Sequence, residues 1–170
     1  MLFKYWVVCF LLFILFIQAR ASSFMPAVTN YLAKDYEAGY QNWACAQGSN
    51  GEMYFGNSQG LLVYDGYRWT LHKVPGNHIV RSVYVKEDRI YVGAFEEFGY
   101  FKYSEAGTLR YHSLSKFLKN FPMEYNEIWN IVELDGRIYF QSFSAWFSYD
   151  GKMVHAFRNR QQQPLYFYTQ

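Results

Sequence analysis

A short strand-like motif centred on a tyrosine occurs three times along this chain, and no other feature of the sequence constrains the fold as strongly. The tyrosines are Tyr54, Tyr91 and Tyr139, in segments 52–56, 89–93 and 137–141. A turn-forming run precedes each segment, and a large apolar residue stands eleven positions before each tyrosine: Trp43, Val80 and Ile128. Each tyrosine therefore marks one copy of a repeated unit in which a turn joins two strands.

Two more strand-like segments follow each tyrosine segment. The third strands are expected at 60–64, 98–103 and 145–149, and the fourth strands at 68–72, 108–112 and 152–157. Asp-Gly pairs at 65–66 and 150–151 supply the same hairpin turn in the first and third units. Four short strands in a unit of about 40–50 residues are typical of a β-propeller blade. The sequence therefore predicts an all-β fold, a partial β-propeller of about three four-stranded blades, with a β-sandwich as the alternative.

The aromatic content of the chain fits this architecture. Aromatic residues make up 22% of the sequence, and flat rings pack well between stacked, pleated sheets. We expect Trp69, Trp129 and Trp146 to fill the wedges between blades. Because propellers typically close with about 4–8 blades, three units predict a fragment of a longer protein.

The N-terminus has the pattern of an export signal. Lys4 is followed by an apolar run at 5–17, and Ala19 and Ala21 flank Arg20 as in a signal-peptidase site. The apolar run is shorter than the about 20 residues that span a membrane. We predict a signal peptide at 1–21 and an exported, periplasmic chain, with an uncleaved signal anchor as the alternative.

The remaining chain divides at turn-forming runs and at the edges of the repeats. The expected segments are an N-terminal lead-in at 22–42, blade 1 at 43–74, blade 2 at 80–114, an inter-blade insertion at 115–127, blade 3 at 128–157, and the start of a further blade or a truncated tail at 158–170.

Charge and cysteine content argue against two kinds of site. The chain has 16 Lys and Arg against 14 Asp and Glu, and the signal peptide contains two of the bases and no acid, so the mature chain is neutral. It has no basic cluster, and we therefore expect no nucleic-acid binding through this segment. Cys45 is the single cysteine after cleavage, which excludes an intrachain disulfide and a Cys-based zinc site. We expect Cys45 to be a small buried residue on a strand.

Several longer motifs resemble those of a known family. They include Gly-Leu-Leu-Val-Tyr-Asp-Gly at 60–66 and Glu-Phe-Gly-Tyr-Phe at 97–101, which are specific in combination, together with segments 36–43, 54–57 and 80–83. The chain resembles, over 30–157, the N-terminal propeller of Bacteroidetes periplasmic sensor proteins, the two-component regulator propeller proteins. The resemblance implies a β-propeller that senses an extracytoplasmic ligand, often a glycan fragment.

The same resemblance implies parts that this sequence does not contain. In that family the propeller is followed by a Tyr-rich immunoglobulin-like domain, a membrane helix and an output region, either a histidine kinase or a LuxR-type helix-turn-helix. We therefore expect a fragment that meets the membrane only through a downstream helix. Dimerisation, if it occurs, is expected in the full-length parent.

The motifs of common enzymes are absent from the sequence. There is no phosphate-binding glycine loop, no His-Glu-x-x-His and no Gly-x-Ser-x-Gly elbow, and the four histidines are scattered. Glu96 and Glu97 are the best acidic pair, but adjacent residues on extended chain point to opposite sides and cannot flank one bond. We expect no enzyme activity, no cofactor and no metal, with a glycan-active propeller enzyme as the alternative.

Ligands of propellers commonly bind over the central channel, where the loops between strands and between blades converge. Polar groups beside Phe95, Trp129 and Phe143 would suit a sugar, which requires hydrogen bonds and an aromatic platform. The predicted ligand-binding residues are Asn57, Gln59, His78, Arg81, Glu96, Glu97, Trp129 and Ser142. The sequence thus predicts a ligand-sensing module of a signal-transduction regulator for a small molecule or glycan, with a structural interaction propeller that lacks a small ligand as a further alternative.

Overall fold

The computed structural model describes residues 5–6, 26–119 and 121–158. Most of the expected signal peptide and the expected tail beyond Arg158 lie outside the described residues. The chain divides into two compact units, 1–30 and 31–170, and every strand belongs to the second unit. Among the described residues there is no helix with the length and hydropathy needed to cross a membrane.

Within the described residues, twelve strands form three separate four-stranded antiparallel sheets, in which neighbouring strands follow one another along the chain. The first sheet contains β1 (Asn42–Gln47), β2 (Met53–Asn57), β3 (Gly60–Tyr64) and β4 (Trp69–His72); the second contains β5 (Val80–Lys86), β6 (Arg89–Ala94), β7 (Phe98–Tyr103) and β8 (Leu109–Ser113); the third contains β9 (Asn130–Leu134), β10 (Arg137–Gln141), β11 (Ala145–Tyr149) and β12 (Val154–Arg158). A short helix, α1 (Ala33–Tyr36), lies directly before the first sheet in the chain. The prediction of an all-β fold with three four-stranded blades is confirmed.

The Asp-Gly turns have the local chemistry that the sequence predicts. Asp65 Oδ1 accepts hydrogen bonds from two main-chain N–H groups, those of Tyr67 and Arg68, at 2.8 and 2.6 Å. Asp150 Oδ1 makes the equivalent contacts in the third sheet. A carboxylate that caps its own turn in this way fixes the hairpin between the third and fourth strands.

The pairing register aligns the first strands of the three sheets differently from the sequence count. Gly56 pairs with Ala44, Gly93 with Ser82, and Gln141 with Asn130. The residues just before these pairs, Trp43, Arg81 and Trp129, are therefore equivalent. Counting eleven positions back from each tyrosine had instead aligned Trp43 with Val80 and Ile128. The chain enclosed by these pairs is one residue longer in the first unit, at 45–55, than in the others, at 83–92 and 131–140, which displaces the first unit by one position.

Two apolar cores hold the sheets together, one on each face of the second sheet. Leu61 and Val63 of the first sheet pack against Val92 and Phe101 of the second. On the opposite face, Phe98 is fully buried and stacks at 4.9 Å between ring centroids on Phe147 of the third sheet. The middle sheet therefore fixes the positions of both neighbours.

The expectations about the tryptophans and about Cys45 are wrong. Trp129 is 37% exposed, and Trp69 and Trp146 stack on Tyr64 and Phe157 of their own sheets, so none of the three belongs to the cores between sheets. Buried phenylalanines such as Phe98, Phe140 and Phe147 fill that space instead. Cys45 is exposed on β1, because the apolar cores lie on the other positions of the first sheet.

The first strands β1, β5 and β9 lie side by side, so we call them the inner strands. The edge of the sheets at which the inner strands begin is called the upper edge, and the edge at which they end is called the lower edge. The segment between β8 and β9 crosses the upper edge; it contains a 3-10 turn at Ser115–Phe117 and an isolated bridge between Phe95 and Glu127.

Candidate ligand-binding site

Three equivalent residues of the inner strands meet at the upper edge. Trp43 and Arg81 each lie at an irregularity in their strand's register, and such bulges re-aim a side chain. Trp129 directly precedes β9, where its N–H donates to Gln141 O at 2.9 Å. The guanidinium carbon of Arg81 lies 3.7 Å from the centre of the Trp43 ring and 4.9 Å from the centre of the Trp129 ring. One cation therefore contacts the aromatic rings of both neighbouring sheets.

Glu127 supplies the counter-charge for Arg81. Arg81 Nε donates to Glu127 Oε1 at 2.5 Å, and the two side chains are only 13% and 20% exposed. The bond is monodentate, and Arg81 Nη1 is buried without a hydrogen-bond partner among the described residues. Cation–π contact with two rings and one short ion pair together hold the guanidinium in place.

Three aromatic rings present exposed surface around this ion pair. Trp43, Trp129 and Phe143 are 40%, 37% and 54% exposed. The centroids of Trp43 and Trp129 are 6.5 Å apart at an angle of 80°, and those of Trp129 and Phe143 are 5.5 Å apart. We call these three residues the ring platform. It is an apolar surface of rigid rings, two of which contact the charged pair.

The ring platform is bordered by polar side chains. Trp43 Nε1 donates to Ser58 Oγ at 3.1 Å, which fixes the orientation of the indole. The exposed Gln59 side chain follows Ser58 in the same turn. This turn is thus the place where a predicted ligand-binding residue, Gln59, is available to solvent near the ring platform.

Asn57, another predicted ligand-binding residue, is fully buried and organises the main chain. Its Oδ1 accepts the N–H of Gly39 at 2.9 Å and that of Gln59 at 3.0 Å, and its Nδ2 donates to Gly39 O at 2.7 Å. These bonds tie the lead-in segment to the turn between β2 and β3. All of the amide's contacts are thus made within the protein.

Ser142 is also buried and holds its own turn. Its hydroxyl donates to Asn126 Oδ1 at 2.7 Å and accepts the N–H of Ala145 at 3.0 Å. The next residue in the chain is Phe143 of the ring platform. Ser142 therefore fixes the turn that carries Phe143.

Glu96 and Glu97 point to different partners, as the sequence predicts for adjacent residues. Glu97 Oε1 accepts three hydroxyl groups, those of Tyr111, Ser113 and Ser115, at 3.0, 2.9 and 2.7 Å. Burial raises the pKa of the Tyr111 hydroxyl far above its usual range. The negative charge of Glu97, which accepts the hydrogen bond of this hydroxyl, adds to the rise.

Glu96 binds the far end of the inter-blade insertion. Its carboxylate accepts the N–H of Tyr125 at 2.9 Å, and its own N–H donates to Asn126 O at 2.7 Å. Glu96 adopts a left-handed backbone conformation, with φ at 55°. The two neighbouring glutamates thus hold the two ends of the insertion.

His78 is half-buried and packs against Phe95, with 5.7 Å between the ring centroids.

Of the predicted ligand-binding residues, the structure brings Arg81 and Trp129 into one cluster. Trp43, a member of the ring platform, was not among the predicted ligand-binding residues. The sequence pattern had placed it among the large apolar residues that recur in each unit. Aligning the units by strand pairing rather than by a fixed count would have identified it. Among the described residues, no three His, Cys, Asp or Glu side chains are grouped as metal ligands.

No protein-family model matches the chain, and no curated protein matches it. Solved structures do match. One is the extracellular domain of BT4673 from B. thetaiotaomicron, described in one structure as a one-component system and in another as a hybrid two-component system. It is 18% identical, with a TM-score of 0.55 over 74% of this chain and 16% of that chain.

A second match is the extracellular domain of BT3049, described as a hybrid two-component system of the same organism. It is 20% identical, with a TM-score of 0.54 over 77% of this chain and 17% of that chain. The chain thus spans about a sixth of the length of these domains. The likeness shows a shared fold. Proteins with this fold thus include extracellular domains of two-component systems, the class of protein that the sequence motifs resemble.

Proposed function

We propose that this chain is part of an extracytoplasmic ligand-sensing β-propeller of a signal-transduction regulator, and that its ligand binds over the ring platform. The observation that carries the proposal is the convergence of Trp43, Arg81 and Trp129 from three sheets on one exposed edge. These residues occupy the same position in each blade. The rings of Trp43 and Trp129 remain partly exposed, although the neighbouring cores are tightly filled.

The chemistry of the ring platform favours a ligand with flat apolar faces and polar edges. Exposed aromatic rings grouped at one place are typical of a binding surface. A sugar ring presents C–H groups that stack on an indole and hydroxyls that pair with groups at the border of the platform, such as Gln59. We therefore propose a glycan or a similarly shaped small molecule as the ligand.

The sensor role is supported by the solved structures and by the sequence motifs together. The matching structures are extracellular domains of one-component or hybrid two-component systems. Membrane attachment, dimerisation and signalling output would belong to other parts of such a protein, and we propose that the present chain acts in the periplasm.

We propose binding without catalysis. The best acidic pair is engaged in structure, because Glu97 accepts three hydroxyls and Glu96 accepts a main-chain N–H. Glu127 is paired with Arg81. General acid–base catalysis on a glycan would need two carboxyl groups facing one bond, and the described upper edge presents no such pair.

The proposal is tested by calorimetric titration of the full chain with a panel of neutral and acidic oligosaccharides. At least one oligosaccharide should bind, and Trp129→Ala should weaken that binding by at least about tenfold, which corresponds to about 1.4 kcal/mol. Tyr67→Ala is the matched control, because Tyr67 is an exposed aromatic residue at the lower edge. It should leave the affinity unchanged.

Three outcomes would count against the proposal. An equal loss of affinity in Tyr67→Ala would mean that the contact is non-specific. A panel without heat or change in melting temperature would favour a structural interaction propeller. Release of shortened sugars during the titration would show that the protein is an enzyme.

A further inference from the structure

The turn that carries Phe143 is held by a buried side chain from outside its own sheet. Asn126 Oδ1 accepts the hydroxyl of Ser142 at 2.7 Å and that of Ser144 at 2.8 Å. These serines are the two chain neighbours of Phe143. Asn126 is 6% exposed and Ser142 is 2% exposed, so the bond between them is buried and costly to lose. The bond from Ser144, an exposed residue, is only partly buried.

Asn126 is itself fixed within the inter-blade insertion. Its N–H donates to Met123 O at 3.0 Å, and its carbonyl oxygen accepts the N–H of Glu96 at 2.7 Å. Its Nδ2 donates to Glu124 O at 3.2 Å. The side-chain oxygen is therefore presented to the serines from a backbone that has little freedom to shift.

The same short segment also carries Trp129. Ile128 N donates to Ala94 O at 3.0 Å and Trp129 N donates to Gln141 O at 2.9 Å, so the main chain after Asn126 is bound to the second and third sheets. Asn126 and Trp129 thus belong to one fixed segment, and the serine bonds connect that segment to the turn of Phe143. The Trp129 and Phe143 rings, 5.5 Å apart between centroids, lie on the two parts that this connection joins.

We propose that Asn126 is a positioning residue of the ring platform, which holds Phe143 against Trp129 by accepting the two serine hydroxyls. Its importance for ligand binding rests on the function proposed above, whereas its effect on the rings does not. The experiment below therefore uses a readout that needs no ligand.

The test measures acrylamide quenching of tryptophan fluorescence in the full chain. Phe143→Leu removes the ring that covers Trp129 and should raise the quenching constant. Asn126→Ala should raise it to the same extent, and the double variant should show no further rise, because both changes remove one contact. Asn126→Asp keeps an oxygen that accepts both hydroxyls but cannot donate to Glu124 O, and it should give a smaller rise than Asn126→Ala.

Controls separate this effect from general loosening. The rise in Asn126→Ala should vanish in a Trp129→Phe background, which lacks the reporting indole. Asn50→Ala removes a similar side-chain bond, to Glu52 N, at the lower edge, and should leave quenching unchanged. Ser144→Ala removes one of the two hydroxyls at an exposed position and should give a smaller rise than Asn126→Ala without a risk to folding.

The proposal is overturned if Asn126→Ala and Ser144→Ala leave quenching unchanged, or if the double variant shows the sum of two independent rises. Persistence of the rise in the Trp129→Phe background would also overturn it, because the change would then lie elsewhere. These results are independent of the oligosaccharide titration: the panel can fail while the quenching pattern is as expected, and the reverse can also occur.

Discussion

The upper and lower edges of the same three sheets have opposite chemical character. At the upper edge, exposed rings lie around the ion pair of Arg81 with Glu127. At the lower edge, charged residues and Asp-Gly turns predominate. Its ion pairs are closer to solvent: in the pair of Lys86 with Glu133, the two side chains are 29% and 31% exposed. Because both edges terminate the same strands, the requirements of the sheet itself cannot explain the difference.

The comparison separates residues that fold the blades from residues that are available for binding. The polar groups of the lower edge have local structural roles, since Asp65 and Asp150 cap hairpins and Glu52 accepts the hydroxyls of Tyr54 and Tyr103. The buried polar groups of the upper edge likewise bind the main chain or one another. The exposed faces of the ring platform are the part of the upper edge at which we propose that a ligand binds.

The largest effect on the free energy of unfolding is expected when the ion pair of the upper edge is removed, in comparison with an ion pair of the lower edge. Arg81→Met leaves the largely buried Glu127 carboxylate without its partner and removes the cation from two rings. We expect a loss of about 2 kcal/mol in the free energy of unfolding, less than for a fully buried pair because both side chains retain some exposure. Urea unfolding followed by circular dichroism measures it.

Lys86→Met is the matched change at the lower edge. Its partner Glu133 also accepts the hydroxyl of Tyr84, and the pair is close to solvent. Exposed ion pairs contribute little to stability, so we expect no measurable loss. Equal losses in the two variants would contradict the distinction between the edges.

A smaller effect is expected at high pH from the tyrosine pair at the lower edge. Burial raises the pKa of Tyr103 to about 12, and the hydrogen bond to Glu52 adds to the rise. The unfolded chain loses this proton near pH 10, so the stabilisation is complete below about pH 10 and is lost as the pH rises to about 12.

Tyr103→Phe should therefore remove part of the fall in melting temperature over this range of pH. The measurement is the difference in melting temperature between the unaltered chain and the variant at each pH. Tyr67→Phe, on an exposed residue of the same edge, provides the control. Parallel curves for the unaltered chain and Tyr103→Phe would show that this hydroxyl does not contribute.

The smallest effect is expected at low pH from a hairpin turn. The N–H groups of Met153 and Lys152 that donate to Asp150 lower the pKa of its carboxyl. A lowered pKa gives stability that is present above the usual value, about 3.9, and lost as the pH falls through the folded value. Asp150→Asn keeps the acceptor oxygen without the titration.

Asp150→Asn should accordingly flatten the acid limb of the melting-temperature curve and leave oligosaccharide binding unchanged. Weakened binding in this variant would contradict the division of roles between the edges, because Asp150 lies at the edge opposite the ring platform.

The sequence predicted the repeated elements well because their signals are local. Strands beside Tyr54, Tyr91 and Tyr139 are defined by alternating apolar residues and turn-forming runs, and Asp150-Gly151 specifies its hairpin by side-chain chemistry. These signals need no knowledge of distant contacts, so the sheets and their order follow from them.

The site was predicted only in part, because its geometry depends on pairing register and burial. Arg81 and Trp129 were identified as polar and aromatic residues near the inner strands. Trp43 was assigned to the core pattern, since a count from the tyrosine cannot detect that the first hairpin has one more residue between equivalent strand pairs than the second. Asn57 and Ser142 were predicted to contact ligand because they lie in loops, yet both are buried and satisfy neighbouring main chain.

The central claim, that ligand binds over the ring platform, is tested most directly by hydrogen–deuterium exchange of the full chain with and without an oligosaccharide that binds in calorimetry. We predict slower exchange in segments 41–43, 57–59, 125–129 and 142–145 at the upper edge, and unchanged exchange in the hairpin turns 65–68 and 150–153 at the lower edge. Protection confined to the lower edge, or spread equally over both edges, would contradict the account.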